Sequence, residues 1–334
     1  MTWFTWRQFR APTWIAAGAL AVVSVLLAIT GHSLADQWAA SGAAACHGDC
    51  TSAFAGFLRE VKSGTNGLVY QLAVVLVYVV PALIGSFWGA PLIARELEAG
   101  THRLVWNQSI TRTRWLATKL AMVGAASAIT AGLLSWGVSA WSHHIDHVGD
   151  PRTTPLIYGA RGIVPIGYAL FAFAVGVTAG MLLRRTVPAM AATLGIYVAA
   201  VVAMPLWIRG HLAPTIHVTS ALDTGSIGEF TIGNNNQMSV LSDANIPGAW
   251  VLSNRTLTPT GKVFTGPANM QACGPEHGPK SCLEWVGTLG LRQDFTYQPA
   301  SHFWPLQWAE TGIFVAVAAL LVGFCFWWTR RRLI

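Results

Sequence analysis

The sequence contains six apolar runs, each about as long as a helix that crosses a bilayer. A hydrocarbon core of about 30 Å needs roughly 20 helical residues, and backbone groups in lipid must bond within their own helix. Only 10% of the residues are charged, which argues against a soluble helical protein. We predict an all-α polytopic membrane protein whose transmembrane helices cover residues 11–31, 68–93, 120–141, 163–183, 187–208 and 311–329.

Basic residues gather on one side of this predicted topology. Cytosolic loops carry an excess of Lys and Arg. With the amino terminus inside, 12 of the 21 basic residues fall in the first segment, the inner loops and the carboxyl tail. Both termini are therefore expected in the cytosol. The net charge of +7 could suggest a nucleic-acid partner, but its distribution argues otherwise: the basic residues set topology and meet anionic lipid, so no nucleic-acid partner is predicted. Seventeen Arg against four Lys suggest a bacterial source, and thus a bacterial plasma membrane.

The first residues, MTWFTWRQFRAPTW, mix aromatic and basic side chains. This pattern is typical of a helix that lies along a membrane interface, and we predict an N-terminal interfacial elbow helix before the first span. A signal peptide cleaved after Ala35 is the alternative, although the apolar run is long for one.

A polar segment of about 100 residues separates the fifth and sixth runs. It is rich in Thr, Asn, Gly and Pro, and short β-prone runs such as EFTIG and MSVLS alternate with turn residues. We predict a small mixed α/β extracellular domain over residues 209–305. Residues 1–208 then hold the elbow helix and five spans, and 306–334 the last span and a basic tail. A disordered loop is the alternative.

Four cysteines, Cys46, Cys50, Cys273 and Cys282, fall outside the cell in this topology. The oxidising side of a membrane favours two disulfides among them. Three pairings are possible, of which the local pairs Cys46–Cys50 and Cys273–Cys282 are the simplest. A link between the two loops stays open. Cys325 lies inside the last span and is expected to pack there.

Two further motifs have weak signals. His143 and His147 of the HHIDH run would share a helix face and could bind a metal, with His144 beside them. No further ligand has a recognisable spacing, so a polar loop is favoured and no metal site is predicted. Gly176 and Gly180 form a GxxxG pattern that would allow another helix to approach closely.

Several kinds of catalysis have no support in the sequence. It contains no GxxxxGK[ST] loop to hold nucleotide phosphates. No predicted span carries Asp, Glu, Lys or Arg near its middle, which argues against ion coupling and intramembrane acid–base chemistry. We therefore expect a non-enzymatic membrane protein without its own cofactor, suited to a hydrophobic or amphiphilic cargo.

A charged segment, ARELEAGTHRLVWNQSITRTRW, lies between the second and third runs. Gly100 is a natural helix end, and Thr111 is a candidate N-cap for the helix that follows. A short helix over THRLVWNQSI is predicted between them. Its apolar residues 104–106 indicate a docking surface for another protein. An ordinary basic loop that sets topology is the alternative.

The longer stretch GAPLIARELEAGTHRLVWNQSITRTRWLATKL resembles the loop between the second and third spans of ABC-2 type transporter permeases. In that family an Arg-Glu pair and a Gly-Thr pair precede a short cytosolic coupling helix, and an Arg and a Lys follow it. TWRQFR resembles the family's elbow helix, and YQPASHFWPLQWAETGIF resembles a branch with a large external domain. The resemblance implies ATPase-coupling roles for Arg95, Glu96, Glu98, Gly100, Thr101, Arg103, Trp106, Arg112, Arg114 and Lys119.

The resemblance also implies a function. Two permease subunits, expected to be a homodimer, would pair, and two copies of a separate ATPase would bind below them. ATP and Mg²⁺ would bind the ATPase alone. The complex would export a drug, antibiotic, lipid or peptide. The alternative is a membrane sensor or assembly protein with an extracellular ligand-binding domain. A membrane metalloenzyme built on the HHIDH histidines has less support.

Overall fold

The computed structural model divides the chain into two compact units. It describes residues 2–47, 50–100, 111–148, 152–233, 237–243, 246, 248–274 and 278–331. The first unit combines Met1–Leu212 with Trp304–Ile334, and we call it the membrane unit. The second, Ala213–Phe303, is called the polar unit.

The predicted number of spans is confirmed. In the described part of the chain, six helices are long and apolar enough to cross a membrane. They are span 1, Phe9–Ala40; span 2, Thr65–Glu98; span 3, Arg112–Trp141; span 4, Val164–Leu183; span 5, Thr186–His211; and span 6, Ala300–Arg331.

The first helix runs without a break over Thr2–Ala40, so an elbow helix is not a separate element in the described chain. The helix passes through Pro12, whose ring removes one backbone hydrogen bond. One turn of the helix beyond Phe9, the Thr13 hydroxyl donates to the Phe9 carbonyl at 3.0 Å, a common arrangement for a threonine within a helix.

Spans 2 and 5 each contain a π-helical segment near a proline. Span 2 consists of the α-helix Thr65–Leu83, the π-helix Ile84–Gly89 and the α-helix Ala90–Glu98. Span 5 consists of the α-helix Thr186–Ala203, the π-helix Met204–Ile208 and a 3₁₀ turn at Arg209–His211. Pro205 lies inside the π-helix of span 5, where it cannot donate to the helix ladder, and Pro81 lies three residues before the π-helix of span 2.

Span 4 is the central helix of the membrane unit. In its most apolar stretch, 78% of the residues are buried inside the protein. In the corresponding stretch of span 1, none are buried. Phe173 and Met181 of span 4 pack with Ile93 of span 2 and Trp115 of span 3 in one core. Spans 2, 3, 5 and 6 contact span 4, whereas span 1 packs mainly on span 3.

Three short helices of the membrane unit lie between its spans: Thr51–Ser63, His143–Val148 and Pro155–Gly159. Phe57 and Val61 of the first are fully buried, and they join a core with residues of spans 1, 2 and 3.

The polar unit contains two antiparallel sheets, which confirms the expected β content. Strands β1 (Ile216–Ala221), β5 (Arg292–Gln298) and β4 (Trp250–Leu257) form one sheet in that order. Strands β2 (Ile227–Ile232) and β3 (Met238–Ser242) form the other. Two helices, Met270–Cys273 and Gly278–Thr288, complete the unit.

The core of the polar unit lies under the second sheet. Met238 and Val240 of β3 pack against Val286 of the helix Gly278–Thr288. The same core includes Cys282, and Leu291 beside β5 closes it.

Candidate functional site

One end of the membrane unit carries nine exposed or partly exposed arginines among the described residues, and we call it the basic end. Contacts between spans 2 and 3, 2 and 5, and 4 and 6 show that these ends lie together. The arginines there are all at least partly exposed: Arg7, Arg10, Arg95, Arg112, Arg114, Arg184, Arg185, Arg330 and Arg331.

Two predicted coupling residues, Glu96 and Lys119, form a buried ion pair between spans 2 and 3. The Lys119 Nζ donates to the Glu96 Oε1, and the two side chains are 2% and 14% exposed. The same Nζ lies 4.8 Å from the centre of the Trp115 ring, a favourable position for a cation. Removing one partner of a buried pair costs about 3–5 kcal/mol. The pair therefore holds together the two helix ends that flank residues 101–110.

Glu98 connects span 2 to the start of span 5. Its Oε2 accepts a hydrogen bond from the Thr186 backbone N–H at 3.1 Å and another from the Thr186 hydroxyl at 2.8 Å. The first N–H groups of a helix lack partners within the helix, and the helix dipole favours a negative charge there. The contact is exposed, so its main effect is to fix the position of one helix end against another.

The connecting segment begins and ends where the sequence predicts. Gly100 has a φ of 70°, and its N–H donates to the Leu97 carbonyl at 3.3 Å. Glycine adopts this left-handed conformation without strain and ends the helix. Thr111 caps span 3, since its hydroxyl oxygen accepts from the Arg114 N–H at 3.3 Å. Both boundaries are therefore confirmed.

The predicted coupling helix itself lies outside the described residues, and so do Thr101, Arg103 and Trp106. Of the flanking predicted residues, Arg95 and Arg114 are exposed and Arg112 is half-buried. The structure thus brings Glu96 and Lys119 together and places Glu98 on a different partner.

Span 2 touches span 4 along small residues. A methyl group on Gly89 would approach the Phe173 carbonyl oxygen to 2.6 Å, and one on Gly176 would approach the Ala90 nitrogen to 2.8 Å. One on Gly180 would meet the Ala90 carbonyl oxygen. Within the same chain, Gly176 thus lies against the end of the π-helical part of span 2, and Gly180 lies against the start of the α-helix Ala90–Glu98 that follows it.

Sequence reasoning missed a buried ion pair at the opposite end of the bundle. Arg209 and Glu310 were assigned to the external segment, but they lie in spans 5 and 6 and are fully buried. The Arg209 Nη1 donates to the Pro155 carbonyl at 2.9 Å, and the Tyr168 hydroxyl donates to Glu310 at 2.7 Å. Burial, together with the Glu310 carboxylate, raises the pKa of the Tyr158 phenol. Opposite charges at the two ends of the long polar segment were the signal in the sequence.

The HHIDH run contributes a structural anchor through its aspartate. The Asp146 carboxylate receives the Arg161 guanidinium at 2.7 and 3.2 Å, the Ser142 hydroxyl at 2.8 Å and the Tyr70 hydroxyl at 2.9 Å. His143 and His144 contact each other edge to face. Among the described residues, no group of three His, Cys, Asp or Glu is placed to hold a metal ion.

The local disulfide pairing is confirmed. Cys46 and Cys50 are bonded with a Cα–Cα distance of 5.8 Å, and Cys273 and Cys282 with one of 4.4 Å. Cys325 is free and buried in span 6, where its sulfur lies 3.3 Å from the Thr178 hydroxyl.

Comparison with known proteins identifies the family of the chain. The family model "ABC-2 membrane transporter related" matches residues 17–209, more than half of the chain. The match includes Glu96, Lys119, Thr186 and the glycines of span 4. A search of curated proteins found no match, and neither did a search of solved structures. The chain is a multi-pass membrane protein that belongs to the ABC-2 membrane transporter related family.

Proposed function

We propose that the chain is the permease subunit of an ATP-driven exporter, with two copies pairing and two ATPase subunits bound at the basic end. Permeases of the ABC-2 family generally work with ATPase partners. ATP and Mg²⁺ bind those partners, and this chain carries no catalytic residue of its own. The docking surface consists of residues 101–110 and the helix ends on either side of them.

The buried Glu96–Lys119 pair is the observation that carries the proposal. A coupling segment transmits motion only if the elements on both sides of it move with it. The ion pair connects its two flanking helices, and Glu98 connects the first of them to Thr186. The close approach of Gly89 and Gly176 connects span 4 to span 2 as well. A displacement of residues 101–110 is therefore transmitted to spans 2, 3, 4 and 5.

The cargo is a hydrophobic or amphiphilic compound, such as a drug, an antibiotic, a lipid or a peptide. Two observations support this: the spans are apolar, and the buried charges Glu96, Lys119, Arg209 and Glu310 within the described spans are engaged in ion pairs. The exposed arginines at the basic end favour the cytosolic side of a bacterial plasma membrane for both termini.

Purification of the tagged full chain from its native host provides the test. We expect a Walker A protein to copurify and the complex to hydrolyse ATP. Glu96→Lys should lower ATP hydrolysis, because two like charges would then face each other in a buried site. The exchange Glu96→Lys with Lys119→Glu should restore most of it. Arg330→Gln, an exposed change at the same end, is the matched control.

Two outcomes would contradict the proposal. One is the absence of any ATP-binding protein among the copurified partners, which would favour a sensor or assembly role. The other is a complex whose ATP hydrolysis is unchanged by Glu96→Lys while the protein remains folded.

A further inference from the structure

An apolar groove of about 530 Å³ lies among spans 1, 2 and 3. The small side chains of Ala16 and Ala19 on span 1 leave room for the groove. Val80, Leu83 and Phe87 of span 2 form the facing wall. Phe87 is 60% exposed. Ile15 of span 1 and Leu83 of span 2, which also line the groove, are 73% and 46% exposed, so the groove is open to the surroundings of the bundle.

The groove continues at the basic end into a second cavity of about 400 Å³. Pro12, Phe87 and Trp88 line both cavities. The second is polar at its far side, where Arg95 and Lys119 contribute to its wall. One continuous surface thus changes from apolar to charged as it approaches the end of the bundle.

The length of the apolar part matches one leaflet of a bilayer. Its wall on span 2 extends from Leu76 to Trp88, about 18 Å at 1.5 Å of rise per residue. Half of a hydrocarbon core of about 30 Å is about 15 Å. A chain that enters from the basic end and occupies the groove would therefore reach just past the membrane midplane.

The charge at the mouth of the groove is positive. The Lys119 ammonium is engaged by Glu96, so these two charges offset each other. Arg95 is exposed, and its guanidinium makes no hydrogen bond or ion pair with any described residue. A guanidinium binds a phosphate through paired, charge-assisted hydrogen bonds.

We propose that this groove binds one anionic phospholipid from the leaflet at the basic end. One of its two acyl chains lies along Ala16, Ala19 and Leu83, and its phosphate pairs with Arg95. Phe9 and Trp88, whose rings meet edge to face at 5.0 Å, form the floor where headgroup and chain join. The site goes beyond the proposed export function. It is tested on the full chain alone, without ATPase or cargo, so the two proposals can fail separately.

The test uses phosphatidylglycerol with a photoactivatable diazirine in its acyl chain, added to the detergent-purified full chain. We expect crosslinks to concentrate on groove residues of spans 1 and 2. Ala19→Phe should fill the groove and remove most of them. Ala21→Phe is the matched control, because Ala21 is equally exposed on the same helix but does not line the groove.

The headgroup contact has its own readout in the amount of lipid retained, measured by native mass spectrometry. Arg95→Gln should weaken retention of phosphatidylglycerol about tenfold, since it removes charge-assisted hydrogen bonds. Arg114→Gln, an exposed change at the same end, should leave retention unchanged. Phosphatidylcholine should be retained less than phosphatidylglycerol by the unaltered chain.

Annular lipid only is the outcome that overturns the proposal. It would appear as crosslinks spread evenly over exposed apolar residues such as Val198 and Leu320. Equal retention of phosphatidylcholine and phosphatidylglycerol would also overturn it, as would retention that Arg95→Gln and Arg114→Gln reduce to the same extent.

Discussion

Arg209 and Glu310 are 101 residues apart in sequence, yet their side chains form a two-pronged ion pair, with Nε–Oε2 at 2.7 Å and Nη2–Oε1 at 3.0 Å. Arg209 lies three residues before Leu212, where the first part of the membrane unit ends. Glu310 lies six residues after Trp304, where the second part begins. The pair therefore fixes the two points between which the chain forms the polar unit.

Replacing one member of this pair should strongly destabilise the membrane unit. Glu310→Gln leaves the buried Arg209 charge uncompensated, which costs about 3–5 kcal/mol. We expect the apparent melting temperature in detergent to fall by about 10 °C. Tryptophan fluorescence during heating measures it.

The double variant Arg209→Met with Glu310→Leu should recover part of this loss, because no buried charge remains. Recovery is incomplete since the Pro155 carbonyl and the Tyr168 hydroxyl lose their partners. Glu229→Gln, an exposed change in β2, is the control. A Glu310→Gln variant that melts like the control would show that the pair contributes little.

The HHIDH run should stabilise the protein through its aspartate. Asp146→Asn removes the charge that Arg161 requires in a buried site, and we expect the melting temperature to fall by about 10 °C. His143→Ala should change it by less than about 2 °C and should not alter the metal content of purified protein. Elemental analysis beside the melting curve checks both. A stoichiometric metal that His143→Ala removes would contradict this reading.

The spans and the ends of the coupling segment could be predicted because their signals are local. A long uncharged run predicts a span whatever packs against it. Gly100 acts through its own backbone conformation, and Thr111 acts through a hydroxyl that contacts a backbone N–H three residues away. The Glu96–Lys119 pair could not be predicted in the same way. The resemblance to ABC-2 permeases implies a coupling role for each residue. Their contact, however, depends on how spans 2 and 3 pack.

Other features depend on tertiary packing that sequence does not reveal. The GxxxG pattern at Gly176 indicates close approach but names no partner, and the partner proved to be the π-helical Ile84–Gly89. Arg209 and Glu310 were assigned to a loop because charges usually end a span. Their burial is possible only because each neutralises the other.

The seam between spans 2 and 4 should be intolerant of added volume. Gly176→Leu places a side chain against the backbone of Gly89 and Ala90, and overpacking costs about 1–3 kcal/mol or more. We expect a lower melting temperature and a smaller folded fraction on size-exclusion chromatography. Gly195→Leu in span 5 is the matched control, since nothing lies within 4 Å of a Cβ there. Equal effects of the two changes would exclude a tight seam.

Orientation can be tested with single cysteines. In the native chain four cysteines are paired and Cys325 is buried, so a thiol reagent has little background. On intact cells, a membrane-impermeant maleimide should label Met270→Cys in the polar unit. It should label Ala99→Cys at the basic end only after permeabilisation. Labelling of Ala99→Cys from outside would reverse the proposed topology.

The contact between Glu98 and Thr186 should affect coupling more than stability. Their contact is exposed to solvent, so Glu98→Gln should shift the melting temperature by less than about 2 °C. It nevertheless removes the charge that holds span 2 against the start of span 5. Motion of residues 101–110 would then reach span 5 less directly. We expect the ATPase to remain bound while cargo no longer stimulates its hydrolysis, measured on the purified complex with a panel of amphiphiles. Glu284→Gln in the polar unit is the control. A Glu98→Gln complex that keeps full stimulation would mean that the link to span 5 is dispensable for coupling.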